Sequence, residues 1–235
     1  YFWQGATRRA AVLGLGATFS NTLVIGTPLI GLAYGQAGLI TLFTLISVHA
    51  LVLLTMATVV LELSVAREAA ASGASTGRPM FRTILTAARN GIIHPVPLPI
   101  IVGLLFAQTG WVVPEVVDKP LQLLGNAFGP LALLLVGVTV THGRVGAQLK
   151  AALGLSLVKN LGLPAIMAGV GWAAGMSGLP LSVMIVAASL PIGANVFMFS
   201  QKYEVAQDLI TASLAVSTAI GVLTISLVMA MIGWF

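Results

Sequence analysis

Apolar residues fill this chain in stretches of roughly 20, the length a helix needs to cross a bilayer. Seven such stretches are expected as spans. They run about Ala10–Tyr34 (A), Gly38–Leu61 (B), Ile92–Gln108 (C), Leu121–Thr141 (D), Ala151–Ala174 (E), Leu181–Ser200 (F) and Leu209–Phe235 (G). One long polar segment interrupts them, Ala66–Asn90, "AREAAASGASTGRPMFRTILTAARN". Its Ser, Gly, Ala and Arg content predicts a loop, with a short interfacial helix over Met80–Arg89.

Two spans carry residues that a continuous helix avoids. Span A contains "SNTLVIGTPL", Ser20 to Leu29, and span F contains "SLPIGANVFMF", Ser189 to Phe199. Pro28 and Pro191 lack a backbone donor and clash with the preceding turn. Gly26 and Gly193 let the backbone leave helical geometry. The residues C-terminal to each motif also match: Tyr34 then Leu39-Ile40-Thr41, and Tyr203 then Leu209-Ile210-Thr211. Span F comes five spans after span A, so the two copies cross in opposite directions. Paired interrupted helices in an inverted repeat mark a substrate site.

The second unit is then C to G, with its fourth member broken. The first unit shows only its fourth and fifth members, so three further helices are expected before residue 1. Residues 1–7, "YFWQGAT", read as the tail of the third of these and its loop. The predicted organisation is 1–65 for the remainder of the first repeat, 66–90 for a cytoplasmic loop, and 91–235 for the second five-helix repeat.

Broken backbone inside a membrane persists only where protein or water satisfies its polar groups. Crossing two broken helices gathers half-helix ends, whose N-termini carry partial positive charge and free N–H groups. Asn21 and Asn195 each add an amide. Ser20, Thr22 and Ser189 are further donors that either face a pocket or cap freed carbonyls. The expected substrate-binding set is Asn21, Thr22, Gly26, Pro28, Ser189, Pro191, Gly193 and Asn195. Neither motif contains an acidic residue, which points to an anion rather than a strongly held cation.

Composition agrees with a membrane protein. The chain of 235 residues is 58% hydrophobic and 7% charged, against about 25% charged in soluble domains. Its net charge of +5 is explained by topology. With seven alternating spans, Arg8, Arg9, Arg67, Arg78, Arg82, Arg89, Arg144, Lys150 and Lys202 share one side, and Lys119 stands on the other. That segregation makes the basic side cytoplasmic. No nucleic-acid partner is required. Lys159 lies within span E, either snorkelling to the cytoplasmic end or supplying a counter-charge to a substrate. Glu62 reads as interfacial, His49 as a satisfied core histidine, His142 as a loop residue and Pro164 as a kink.

No nucleophile–base pair or phosphate-binding loop is evident. Gly14-x-Gly16 has no strand before it, the three histidines are too scattered for a metal site, and Cys is absent. No enzymatic activity, cofactor or metal is expected.

"SNTLVIGTPLIGLAYG" and "SLPIGANVFMFSQKYEV" resemble the two crossover helices of the auxin efflux carrier family, which includes plant auxin exporters and bacterial carboxylate permeases. "HPVPLPIIVGLL" resembles the start of that family's sixth helix, with His94-Pro95 where Asn-Pro is common. The resemblance covers essentially the whole chain, as the fourth to tenth of ten helices. It implies an all-α, ten-helix inverted-repeat fold like that of bile-acid and sodium–proton transporters, a homodimer, and elevator-type transport. The expected function is a secondary transporter of small organic anions in a bacterial cytoplasmic membrane, in contact with lipid. A seven-helix receptor or sensor is the alternative, but the expected orientation puts the N-terminus inside, opposite to the usual receptor arrangement, and the paired breaks go unexplained. A channel would need a filter or charged ring, and none is evident.

Overall fold

The structure, a computed structural model, describes residues 7–71, 85, 97–142 and 145–232. The Ala66–Asn90 loop beyond Ala71 (Leu85 aside), its interfacial helix, His94, Pro95 and Arg144 lie outside the described residues. Those described are helical, with a single isolated bridge pair in place of any strand. In chain order the helices are α1 (Arg8–Thr18), α2 (Thr27–Ala71), α3 (Pro97–Gln108), α4 (Glu115–His142) and α5 (Val145–Leu157). Then come α6 (Leu163–Ala173), α7 (Gly178–Ser189), α8 (Ala194–Lys202) and α9 (Gln207–Ile232). Two π-helical turns, Thr22–Gly26 and Val158–Gly162, precede α2 and α6.

Span A is thus divided between α1 and the start of α2, and span F between α7 and α8. Helix α2 is not one straight rod. Gly35 adopts φ 62° and ψ −154°, outside helical geometry. The chain folds back there: the Leu39 side chain approaches Gly31, and a Cβ on Gly38 would lie 3.5 Å from the Ile30 carbonyl oxygen. Spans A and B therefore meet in a tight hairpin. Helix α2 also runs on to Ala71, past the expected end of span B.

Three stretches among the described residues are long and apolar enough to cross a membrane: Thr22–Val65, Gly146–Ala173 and Gln207–Ile232. The first contains the hairpin. Many large apolar side chains face outward, Leu32, Ile40, Leu124, Trp172 and Leu223 among them, as lipid-facing positions require.

The chain divides into two compact units. The smaller comprises 1–15 and 47–112, the larger 16–46 and 113–235. In the smaller, Arg8 Nε pairs with Glu68 at 2.7 Å, so the start of α1 lies beside the end of α2. In the larger, α9 runs along α5 and also packs on α7 and α8, while α6 packs on α7. A core of Ile30, Leu42, Val183, Val186 and Ala187 joins the hairpin to α7.

Candidate functional site

The site lies in the larger unit. Helix α7 ends at Ser189 because Pro191 cannot continue the ladder. The residue before a proline is pushed out of helical geometry, and Leu190 is extended at φ −62° and ψ 152°. Gly193 is extended as well, and α8 begins at Ala194. In the other broken segment α1 ends at Thr18 and the first π turn begins at Thr22.

The two gaps meet. Ser20 and Ile192 form an antiparallel bridge. The Asn21 N–H donates to the Pro191 carbonyl at 2.8 Å, and the Gly193 N–H donates to the Phe19 carbonyl at 2.9 Å. Backbone groups that each helix leaves unpaired are thus satisfied by the other. A Cβ on Gly193 would lie 2.7 Å from the Phe19 ring and 3.0 Å from the Ser20 carbonyl oxygen, so only glycine admits this approach. A Cβ on Gly26 would lie 2.8 Å from the Leu190 side chain.

Four half-helices therefore terminate around one crossing. Two N-termini open toward it, and neither Asn21 nor Gly193 supplies a side-chain cap. Asn21 is buried, with Thr22 beside it. Asn195 stands half-buried in the first turn of α8. Among the described residues neither asparagine side chain is engaged in a hydrogen bond.

The remaining expected site residues are placed differently. Ser189 is fully buried and its hydroxyl donates to the Val186 carbonyl at 2.8 Å, satisfying the end of its own helix. Pro28 is exposed, beyond the π turn. The disruption it imposes falls on the preceding turn, where the Ile25 and Gly26 N–H groups both donate to the Asn21 carbonyl at 3.2 Å. Asn21, Thr22, Gly26, Pro191 and Gly193 come together; Pro28 and Ser189 act on the shape around them.

Lys159 does not snorkel. It has no exposed surface, and its Nζ donates to the Ala188 and Leu190 carbonyls, both at 2.7 Å. Its stem leaves the second π turn, where the Leu163 N–H reaches back five residues to the Val158 carbonyl. Pro164 removes the donor that would bond the Asn160 carbonyl in a regular α-helix, and the turn before it widens. Pro164 is therefore more than a kink: it places Lys159 against the end of α7.

Asn160, Ser217 and Thr224 were not apparent as site residues from the sequence. The Asn160 amide donates to the Ser217 carbonyl at 2.9 Å and to Thr224 Oγ1 at 3.2 Å. Ser217 Oγ accepts from the Ile192 N–H at 3.2 Å. Helix α9 thus supports the break from behind, and Gly221 lies against the Pro191 ring. The available signal was a repeated pattern: Asn21-Thr22 before Gly26-x-Pro28, and Lys159-Asn160 before Gly162-x-Pro164.

The family profile described as membrane transport protein matches residues 2–229. The chain belongs to that family. Its similarity to auxin efflux carriers is found again in curated relatives. Auxin efflux carrier component 8 of Arabidopsis thaliana is 24% identical over 253 residues, covering 89% of this chain and 69% of that protein. A Rhizobium meliloti (strain 1021) protein named "Putative malonate transporter" is 28% identical over 159 residues, covering 67% of this chain. The match spans 49% of the Rhizobium protein's own length. These names identify a transporter in a membrane, and they favour transport over enzymatic or receptor function.

Proposed function

We propose that this protein is a secondary transporter of small carboxylates that binds its substrate at the crossing of the two broken helices. The observation that carries this reading is the reciprocal pairing of the breaks, Asn21 to Pro191 and Gly193 to Phe19. It leaves two uncapped half-helix N-termini and two amide side chains around one point. Each helix N-terminus is equivalent to about half a positive charge and each C-terminus to half a negative one. Four half-helix ends therefore roughly cancel, and Lys159, when protonated, leaves the region net positive. Among the described residues no carboxylate pairs with that lysine. Such a site suits an anion.

On this reading the substrate carboxylate accepts hydrogen bonds from Asn21, Asn195 and the N-terminal N–H groups of α8. Thr22, Gly26, Pro191 and Gly193 shape the pocket, with Pro28 and Ser189 holding its walls. Lys159 supplies the counter-charge from behind α7. The protein has a seven-span arrangement over these residues, within an inverted repeat whose two copies lie in 1–65 and 91–235 and are joined by a cytoplasmic loop at 66–90. The repeat carrying the crossing moves against a dimeric scaffold in a bacterial cytoplasmic membrane, giving elevator-type alternating access. The name of the Rhizobium relative makes malonate the first substrate to try.

The test is uptake of radiolabelled malonate into proteoliposomes, with dimethyl malonate as competitor beside unlabelled malonate. Competition by malonate and none by the neutral ester is expected. Equal competition by both would contradict anion recognition.

A further inference from the structure

Helices α6 and α9 both pack against α7, and a hollow of about 680 Å³ is lined by all three. Its wall on α6 is one stripe, Leu161, Ala165, Ala168, Gly169 and Trp172, at the spacing of a single helix face. The middle of that stripe is small. Nothing lies within 4 Å of the place a Gly169 Cβ would take. Two residues on, α6 is tight against α7: a Cβ on Gly171 would strike the Leu181 and Met184 side chains. The sequence of α6 thus closes one face onto α7 and leaves the adjacent one open as a groove.

The groove offers little to a polar solute. Ser182 lines it, but its hydroxyl donates to the Gly178 carbonyl in its own helix. Three observations point to a lipid chain instead. The mouth lies at the α6–α7 turn, where Trp172 is 80% exposed, and tryptophan sits at the headgroup level of membranes. From Trp172 to Leu161 the stripe descends about 16 Å at 1.5 Å per residue, and half of a hydrocarbon core is about 15 Å deep. The groove is therefore as long as one leaflet is thick. It is also continuous with the outward apolar surface, since Ile166, Val170 and Leu227 are exposed beside it.

We propose that the groove between α6 and α9 holds one acyl chain of a membrane phospholipid, with the headgroup at the level of Trp172 and the chain end at Leu161. Pro164 and Ile185 line the inner end. The first shapes the second π turn, and the second lies one turn before α7 stops at the break. A seated chain fills the space between them and braces the end of α7 without entering the crossing. The site is independent of what the crossing carries.

The test reconstitutes the full chain in vesicles of phosphatidylethanolamine and phosphatidylglycerol, with a trace of phosphatidylglycerol bearing a diazirine at the end of one acyl chain. Illumination is followed by mass-spectrometric mapping of the labelled residues. Label should concentrate at Leu161, Pro164 and Ile185, above the outward-facing Leu32, Leu124 and Leu223. Gly169→Phe puts a ring in the groove and should cut that labelling about ten-fold or more, since shutting out even about two buried methylenes is worth that much. Gly169→Ala adds only a methyl and should keep it. A second measurement uses the unmodified protein, stripped of lipid in detergent. A ligand that binds only the folded state raises its melting temperature. Dimyristoyl phosphatidylglycerol should therefore raise it, and dihexanoyl phosphatidylglycerol, too short to reach Leu161, should raise it less. Even labelling of all outward-facing positions would overturn the proposal, because the groove would then be ordinary lipid contact. Labelling that spares Leu161, Pro164 and Ile185 would overturn it too, and would mean that protein covers the groove, either another part of the chain or a second copy. Equal stabilisation by the two lipids would also contradict a chain seated to full depth.

Discussion

Gly193 shows how closely one residue type is tied to the crossing. Its φ of −76° is open to any residue, so backbone freedom is not the reason for glycine here. The reason is contact, since a Cβ would strike both the Phe19 ring and the Ser20 carbonyl oxygen. Gly193→Ala should force the two segments apart and lose roughly 1–3 kcal/mol, the usual range for overpacking. Gly169→Ala is the control, because nothing lies within 4 Å of a Cβ there. Unfolding of the purified protein in graded detergent denaturant should separate the two variants, and equal stability would contradict the close approach. Gly193 and Asn21 were legible in the sequence because polar and helix-breaking residues are conspicuous in an apolar run. The destination of Lys159 was not. Whether a lysine snorkels or turns inward depends on where α7 ends in space, and no pattern within span E records that.

Among the elements, the two breaks were foreseeable and their shapes were not. Pro191 sits in its gap, whereas Pro28 lies beyond a π turn and the gap falls ahead of it at residues 19–21. A proline perturbs the turn before it, so its own position marks the end of the disturbance. The π turns were hidden for the same reason: Thr22–Gly26 and Val158–Gly162 widen because Pro28 and Pro164, each two residues beyond the closing glycine, withdraw a donor. The hairpin between spans A and B is legible in the Gly35–Gly38 gap. At this scale the support from α9 is testable. Ser217→Ala removes the acceptor of the buried Ile192 N–H and should cost about 1–3 kcal/mol, while Ser217→Thr keeps the hydroxyl and most of the stability. Calorimetric melting of both variants checks this. Equal loss would show that the hydroxyl is not what holds the break.

For the whole molecule, hydropathy carried the membrane class, because lipid demands long apolar helices, the two crossover motifs carried the family, and the segregation of basic residues sets the expected orientation. The pairing of Arg8 with Glu68 puts the start of α1 and the end of α2 at one level. The chain has no Cys, so a single cysteine at Ser75 reports sidedness cleanly. An impermeant thiol reagent should leave it unlabelled in intact cells and label it after permeabilisation. Labelling in intact cells would reverse the orientation. The central claim, that the crossing holds a carboxylate, is tested most directly by malonate binding to Asn21→Ala and Asn195→Ala in isothermal calorimetry. Melting temperature serves as the control for folding. A hydrogen bond to a charged group is worth about 1.5–3 kcal/mol, so each variant should bind on the order of ten-fold more weakly or worse, with its melting unchanged. Unchanged affinity in both variants would mean that the crossed helices do not hold the substrate.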